Sequence, residues 1–371
     1  MKTAFIFSGQ GAQYAGMGKE LYDNFECVKE VFDKADSVLD FKVTDMCFGE
    51  DERLNETEYT QPALLTMSYG VCRLMEEKGL KADYVAGLSL GEYSAHVASG
   101  TMSFEDAVKL VRKRGKFMTE AVPKGEGAMC AVLNLGADKI QEACDEVSEI
   151  GRCMIANYNA PGQIVIAGDK SAVEKASELV VEKGARRAVM LNVSGPFHTS
   201  LLKPAAEKLA EELEKIELND MKIPVITNLT AQVVEDRSQV KDILTKQVMN
   251  PVKWEQSVKN MIGLGVDTFV EMGPGKTLSS FVKKAAKEAG ADVSIYNVED
   301  LKTLEKLANA LDIDKTLLLT KCGYSEIPEE FVIIARKTGE LSEEKRAEAY
   351  RIFNDTIDKF LLDDDDDDEE D

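Results

Sequence analysis

Histidine is scarce in this chain: 371 residues contain two, His96 and His198. Any imidazole base must therefore be one of them. Positive charge is also short, with 45 Lys and Arg against 67 Asp and Glu, for a formal net charge of -22. Nine of those charges form the terminal run Asp363 to Asp371, which leaves about -13 on the body. That balance repels polyanions at long range, so neither nucleic acid nor an anionic membrane is a partner held by a broad basic face. The opening stretch Met1 to Gly9 has only a brief apolar run before glycine, which reads as a first β-strand and is too short for a signal peptide or a membrane span. The seven cysteines, at 27, 47, 72, 130, 144, 153 and 322, are odd in number and show no metal-like or paired spacing. They fit a reducing cytoplasm and predict no metal site. Gly273 Pro274 Gly275 Lys276 Thr277 ends like a nucleotide-binding loop, but Val270 stands where that loop requires its first glycine. ATP binding is rejected on that ground.

What the chain does have is 44% hydrophobic residues, enough to bury a sizeable core in one large domain or two to three smaller ones. Its most informative stretch is Tyr84 to Ala95, where an apolar β-type run enters Gly87-Leu88-Ser89-Leu90-Gly91 and helix formers follow at once. This pattern predicts a strand, a sharp turn and a helix with Ser89 at the elbow. Glycine is needed at 87 and 91 because a Cβ there would collide with the crossing backbone. The Leu90 amide falls at the helix N-terminus, where unpaired N–H groups favour developing negative charge. A serine so placed can attack an acyl carbon; an ordinary turn with a capping serine is the alternative.

Phe5 to Ser8 reads as a buried parallel strand ending in the loop Gly9 Gln10 Gly11 Ala12 Gln13, which is either a flexible turn or a source of further oxyanion-binding amides. Leu21 to Leu39 and Pro62 to Lys78 carry helical apolar spacing. Phe104 to Met118 is a third helix with the basic cluster Arg112, Lys113, Arg114 and Lys116. These are either a solvated helix face or, at an arginine near the serine, a planar fork for a carboxylate. From Ala128 to Val193 the pattern is strand, helix, two strands, helix, strand, with Asn159 Ala160 Pro161 Gly162 as the turn of the hairpin. That βαββαβ order predicts a small ferredoxin-like subdomain and, beside it, a cleft. His96 lies seven residues beyond Ser89 on the elbow helix, roughly 10 Å along its axis and out of hydrogen-bond reach, so it reads as a surface or packing residue. His198, after Gly195 Pro196 Phe197, is the remaining candidate base. Further on, strands are predicted at Ile223 to Asn228 and Thr268 to Met272, and helices at Val240 to Met249, Trp254 to Leu264 and Leu278 to Lys287.

Seven of these segments, in order, resemble a known family: Gly9 to Gln13, Gly87 to Tyr93, Arg114 to Met118, Asn159 to Gln163, Gly195 to His198, Gln247 to Trp254 and Glu271 to Thr277. The chain is similar to the malonyl-CoA:acyl carrier protein transacylases of bacterial type II fatty acid synthesis, from Met1 to about Ala310. The resemblance implies an α/β fold with an α/β-hydrolase-like main domain and parallel sheet (1–123 and 196–310) and a ferredoxin-like insert (124–195). It implies Ser89 as nucleophile, His198 as base, Arg114 as partner of the malonyl carboxylate, and the Gln10 and Leu90 amides as the oxyanion hole. Gln247 would orient His198 through its carbonyl, Phe197 would disfavour branched extenders, and Asn159 would contact substrate. The implied partners are malonyl-CoA and acyl carrier protein, with no cofactor, in the cytoplasm. Leu88 departs from the family in replacing a common histidine, and His96 in occupying a usually apolar helix position. A polyketide acyltransferase and a serine acyl hydrolase are the competing enzyme readings, and a non-catalytic carrier-binding subunit the competing class. Residues 311–362 read as a partly helical extension of unknown role and 363–371 as a disordered acidic tail.

Overall fold

The computed structural model of the chain describes residues 1–123, 125–193 and 195–311. Beyond residue 311, the expected partly helical extension to 362 and the acidic run at 363–371 lie outside the described residues.

Ten strands follow in chain order: β1 (Thr3–Phe7), β2 (Tyr84–Gly87), β3 (Gly127–Leu133), β4 (Cys153–Ala160), β5 (Gln163–Asp169), β6 (Arg187–Met190), β7 (Val225–Ile226), β8 (Val252–Lys253), β9 (Thr268–Met272) and β10 (Ser294–Val298). They form two sheets. The first has the order β10-β9-β1-β2-β7, and every pairing in it is parallel. Its central strand β1 is buried at all five positions, as an apolar run covered on both faces requires. The second has the order β6-β3-β5-β4-β8 and is antiparallel except at its β4–β8 edge. The helices Ala137–Glu146 and Lys170–Glu182 bury Ile140, Ala143, Ala172, Val173 and Val180 in a core shared with β3, β4 and β5. Trp254, on helix Trp254–Gly263, is fully buried in a separate core with Ile6, Ala86 and Phe269 of the first sheet.

Several elements differ from the sequence expectation for identifiable reasons. The helix expected over Leu21 to Leu39 is two, Lys19–Asn24 and Glu26–Val38, because Phe25 is extended (φ -133°, ψ 117°) and turns a buried ring under Lys78. The next helix runs Thr57–Glu77 and carries Pro62 within its length. The strand expected over Arg187 to Val193 ends at Met190, where pairing with β3 stops, and Leu191 and Val193 turn toward the cavity described below. The strand expected over Ile223 to Asn228 keeps only Val225–Ile226, because Asn228 leaves the sheet to brace the serine elbow. Helix Lys203–Leu213, strand β10 and helix Leu301–Ala310 were not expected. The last is announced by a capping box, with Asp300 accepting from the Thr303 amide and Thr303 reaching back. No helix among the described residues is long and apolar enough to cross a membrane.

Candidate active site

β2 stops at Gly87 and helix Gly91–Ala98 starts four residues later, with Leu90 as its N-cap residue. A Cβ on Gly87 would lie 1.9 Å from the Gly91 carbonyl carbon, and one on Gly91 would lie 2.1 Å from the Phe7 carbonyl oxygen. Both glycines are therefore required by backbone crossing. Ser89 between them takes a left-handed conformation (φ 54°), which costs a non-glycine residue on the order of 1 kcal/mol or more. Asn228 holds the elbow from behind: its Oδ1 accepts from the Ser89 amide at 2.6 Å and its Nδ2 donates to the Gly87 carbonyl at 2.6 Å.

His198 approaches from a loop 109 residues away, also left-handed (φ 60°), and is 3% exposed. Its Nε2 lies 2.7 Å from Ser89 Oγ and its Nδ1 lies 2.9 Å from the Gln247 carbonyl oxygen. A carbonyl only accepts, so Nδ1 carries the proton and the Nε2 lone pair faces the serine hydroxyl, which donates to it. Burial, and then the nearby Arg114 cation, push the His198 pKa down to about 4. The ring is therefore a free base at neutral pH. Gln247 takes the place that a carboxylate holds in a Ser-His-Asp arrangement.

Arg114 is 1% exposed. Its Nη1 donates to Gln61 Oε1 at 2.8 Å, and its Nη2 donates to Gln247 Oε1 at 3.0 Å and Ser89 Oγ at 3.2 Å. The guanidinium lies 5.1 Å from the Tyr93 ring centroid. The other members of the basic cluster belong to the solvated face: Arg112 pairs with Asp40 and Glu58, Lys113 with Glu212, and Lys116 with Glu120. Arg114 alone among them turns inward.

Around these groups is a cavity of about 230 Å³, to whose lining Gln10, Leu90, Phe197 and Asn159 all contribute. Among the described residues, neither the Gln10 nor the Leu90 amide donates to another backbone group. The Gln10 side chain is tied to Thr57 Oγ1 at 3.0 Å, which steadies its loop. Asn159 Oδ1 is buried without a hydrogen-bond partner among the described residues. Leu88 also lines the cavity, and its side chain packs closely against Gly9.

His96 is not a surface residue. It is fully buried, neither ring nitrogen is hydrogen-bonded among the described residues, and burial alone lowers its pKa to about 4, so it packs as a neutral ring. The loop at Gly273 to Thr277 is closed to phosphate by the chain itself. Glu271 accepts from the Leu278 amide at 3.0 Å and the Ser279 amide at 2.7 Å, at the N-terminal end of helix Thr277–Ala289 where an anion would bind.

Sequence reasoning passed over Gln61, Glu92, Tyr93 and Asn228. Glu92 and Tyr93 sit inside the elbow motif, and a carboxylate in a helix as small and apolar as Gly91–Ala98 was a readable anomaly. Asn228, 139 residues from Ser89, carried no local signal.

The Acyl transferase domain family matches residues 4–316. The malonyl CoA-acyl carrier protein transacylase of Bacillus subtilis is 49% identical over 306 residues, spanning 82% of this chain and 95% of the relative. The crystal structure of the malonyl CoA-acyl carrier protein transacylase from Clostridium perfringens superposes with a TM-score of 0.81 at 47% identity, covering 86% of this chain and 99% of that one. A type II PKS acyl-carrier protein in complex with its malonyl-transacylase matches with a TM-score of 0.80 at 39% identity, covering 84% and 100%. The sequence and the fold thus align with these relatives over 82–86% of this chain and 95–100% of theirs, and the chain belongs to the acyl transferase family.

Proposed function

We propose that this chain transfers the malonyl group of malonyl-CoA to the phosphopantetheine thiol of acyl carrier protein, through a malonyl ester on Ser89. The observation that carries the reading is Arg114 beside the serine: a buried guanidinium with Nη2 3.2 Å from Ser89 Oγ suits an acyl group that ends in a carboxylate. Acetyl offers that cation no carboxylate, and discrimination on the order of several kcal/mol follows from the lost charged hydrogen bonds.

The steps follow from the geometry. His198 Nε2 takes the Ser89 proton as Oγ attacks the thioester carbonyl, and the Gln10 and Leu90 amides receive the oxyanion. The tetrahedral adduct collapses, the C–S bond breaks, and the coenzyme A thiolate leaves with the proton from His198. The carrier thiol then gives its proton to His198 and attacks the ester, and Ser89 departs with that proton. The cycle is ping-pong and needs no cofactor.

The parallel-sheet region (1–123 and 196–310) is assigned the chemistry, and the antiparallel insert (124–195) the wall of the substrate cavity. The free cysteines among the described residues fit a cytoplasmic setting, and supply of extender units for fatty acid synthesis is the role assigned.

The test is intact mass after incubation with malonyl-CoA, acetyl-CoA or methylmalonyl-CoA. A malonyl adduct is expected on the wild type and absent in Ser89→Ala, and Arg114→Ala is expected to lose the preference over acetyl. Steady coenzyme A release without an adduct would establish a hydrolase instead.

A further inference from the structure

Glu92 follows Ser89 by three residues and is fully buried, yet no step above uses it. Its Oε2 accepts from the Gln247 Nε2 at 2.8 Å and from the Asn228 amide at 2.9 Å. These two residues hold everything else in place. Gln247 gives its carbonyl to His198, its Oε1 to Arg114, and a second Nε2 hydrogen bond to the Ser89 carbonyl at 2.9 Å. Asn228 braces both sides of the elbow. One carboxylate oxygen therefore stands behind the nucleophile, the base and the carboxylate-binding arginine together. The other, Oε1, is buried with no hydrogen-bond partner among the described residues. For stability alone this is a poor arrangement, because a buried carboxylate oxygen without a hydrogen bond is costly.

We propose that Glu92 is a positioning residue for acyl transfer, whose negative charge holds the Gln247 amide and, through it, aligns His198 and Arg114 on Ser89. The inference rests on the transacylase reading. A charged acceptor binds the Gln247 amide more strongly than a neutral one, so alignment is best when Glu92 is ionised. Burial raises its pKa to about 7, against the lowering effect of Asn228, Gln247 and Arg114. Arg114 and Tyr93 are the ionisable groups that interact with it. Tyr93 is pushed up to about 12 and His198 down to about 4, away from neutrality, and loss of an inflection in Glu92→Gln is what assigns it to Glu92.

The experiment is a rapid-quench measurement of Ser89 malonylation by intact mass, from pH 5.5 to 8.5, on the wild type and Glu92→Gln, with thermal melts of both. The wild-type rate is expected to rise through an inflection near pH 7, by about tenfold, as an alignment effect can supply. Glu92→Gln is expected to stay at the low-pH level throughout, and at pH 8 to melt no lower than the wild type because it removes a buried charge. A wild-type profile flat between pH 6 and 8 overturns the proposal without recourse to the variant. So does a Glu92→Gln rate equal to wild type at every pH, or one reduced by the same factor at every pH. A wild type that forms no Ser89 adduct at all is a different result, since it overturns the transacylase reading itself.

Discussion

The two sheets face the same cavity with different equipment. The region that carries the parallel sheet (1–123 and 196–310) supplies each group assigned to bond making: Ser89 after β2, Gln10 after β1, Arg114 from the helix Phe104–Glu120, His198 from the loop that follows β6, and Gln247 from the helix Val240–Gln247. The antiparallel sheet supplies Met129, Asn157, Asn159 and Val165, none of which is nucleophile, base or cation. Parallel strands all end on one side, and helix N-termini with free amides begin there, so reactive groups accumulate at that edge. An antiparallel sheet has no such end and contributes surface. The comparison assigns chemistry to one region and shape to the other.

His198→Ala is the substitution expected to sharpen this contrast most. It removes the base and should slow Ser89 malonylation by about 10²- to 10⁴-fold in rapid quench while the fold persists. The same variant carries a pH signature. The folded-state pKa of His198 is depressed below its unfolded value of about 6.5, so the native state binds fewer protons than the unfolded one. Its contribution is present above pH 6.5 and lost as pH falls toward 4. His198→Ala should therefore lose less stability than the wild type between pH 6.5 and 4, as followed by denaturant melts.

Next in size are two core truncations. Trp254→Ala in the first core should cost about 3–5 kcal/mol, and Ile166→Ala in the second about 2–5 kcal/mol, by chemical denaturation. If the division of labour holds, the second should leave the rate of the remaining folded enzyme nearly unchanged with malonyl-CoA. A rate loss as large as that of His198→Ala would break the comparison. The smallest effect is expected at the wall. Asn159→Ala removes a buried oxygen that has no partner among the described residues, and should alter KM by about 2- to 10-fold with little change in kcat.

How much of this was readable before folding depends on the range of each signal. The elbow was legible because steric demands at Gly87 and Gly91 are local and leave a mark five residues wide. His198 was legible by scarcity, there being one other histidine and that one out of reach. The split at Phe25 was not, because the period of apolar residues continues across it and only burial of the ring explains the extended backbone. Asn228 was not either: it lay inside an expected strand, and its role depends on a contact 139 residues away. Within the basic cluster the residue types left two arginines able to fork a carboxylate, the family resemblance pointed to Arg114, and tertiary packing separates it from the three that pair at the surface.

The Glu271 cap reaches further than the exclusion of phosphate. Thr277, Leu278 and Phe281, from the helix that it caps, form part of the cavity lining. In a nucleotide-binding loop the anion at the helix end is a visitor, and the loop is ordered only while it stays. Here the capping carboxyl is part of the chain, so the first turn of the helix is held from within and needs no bound anion to order it. A ping-pong enzyme must receive two different thiol carriers in turn at the same acyl group, and a lining helix already capped by its own chain spares each the entropy of ordering that turn.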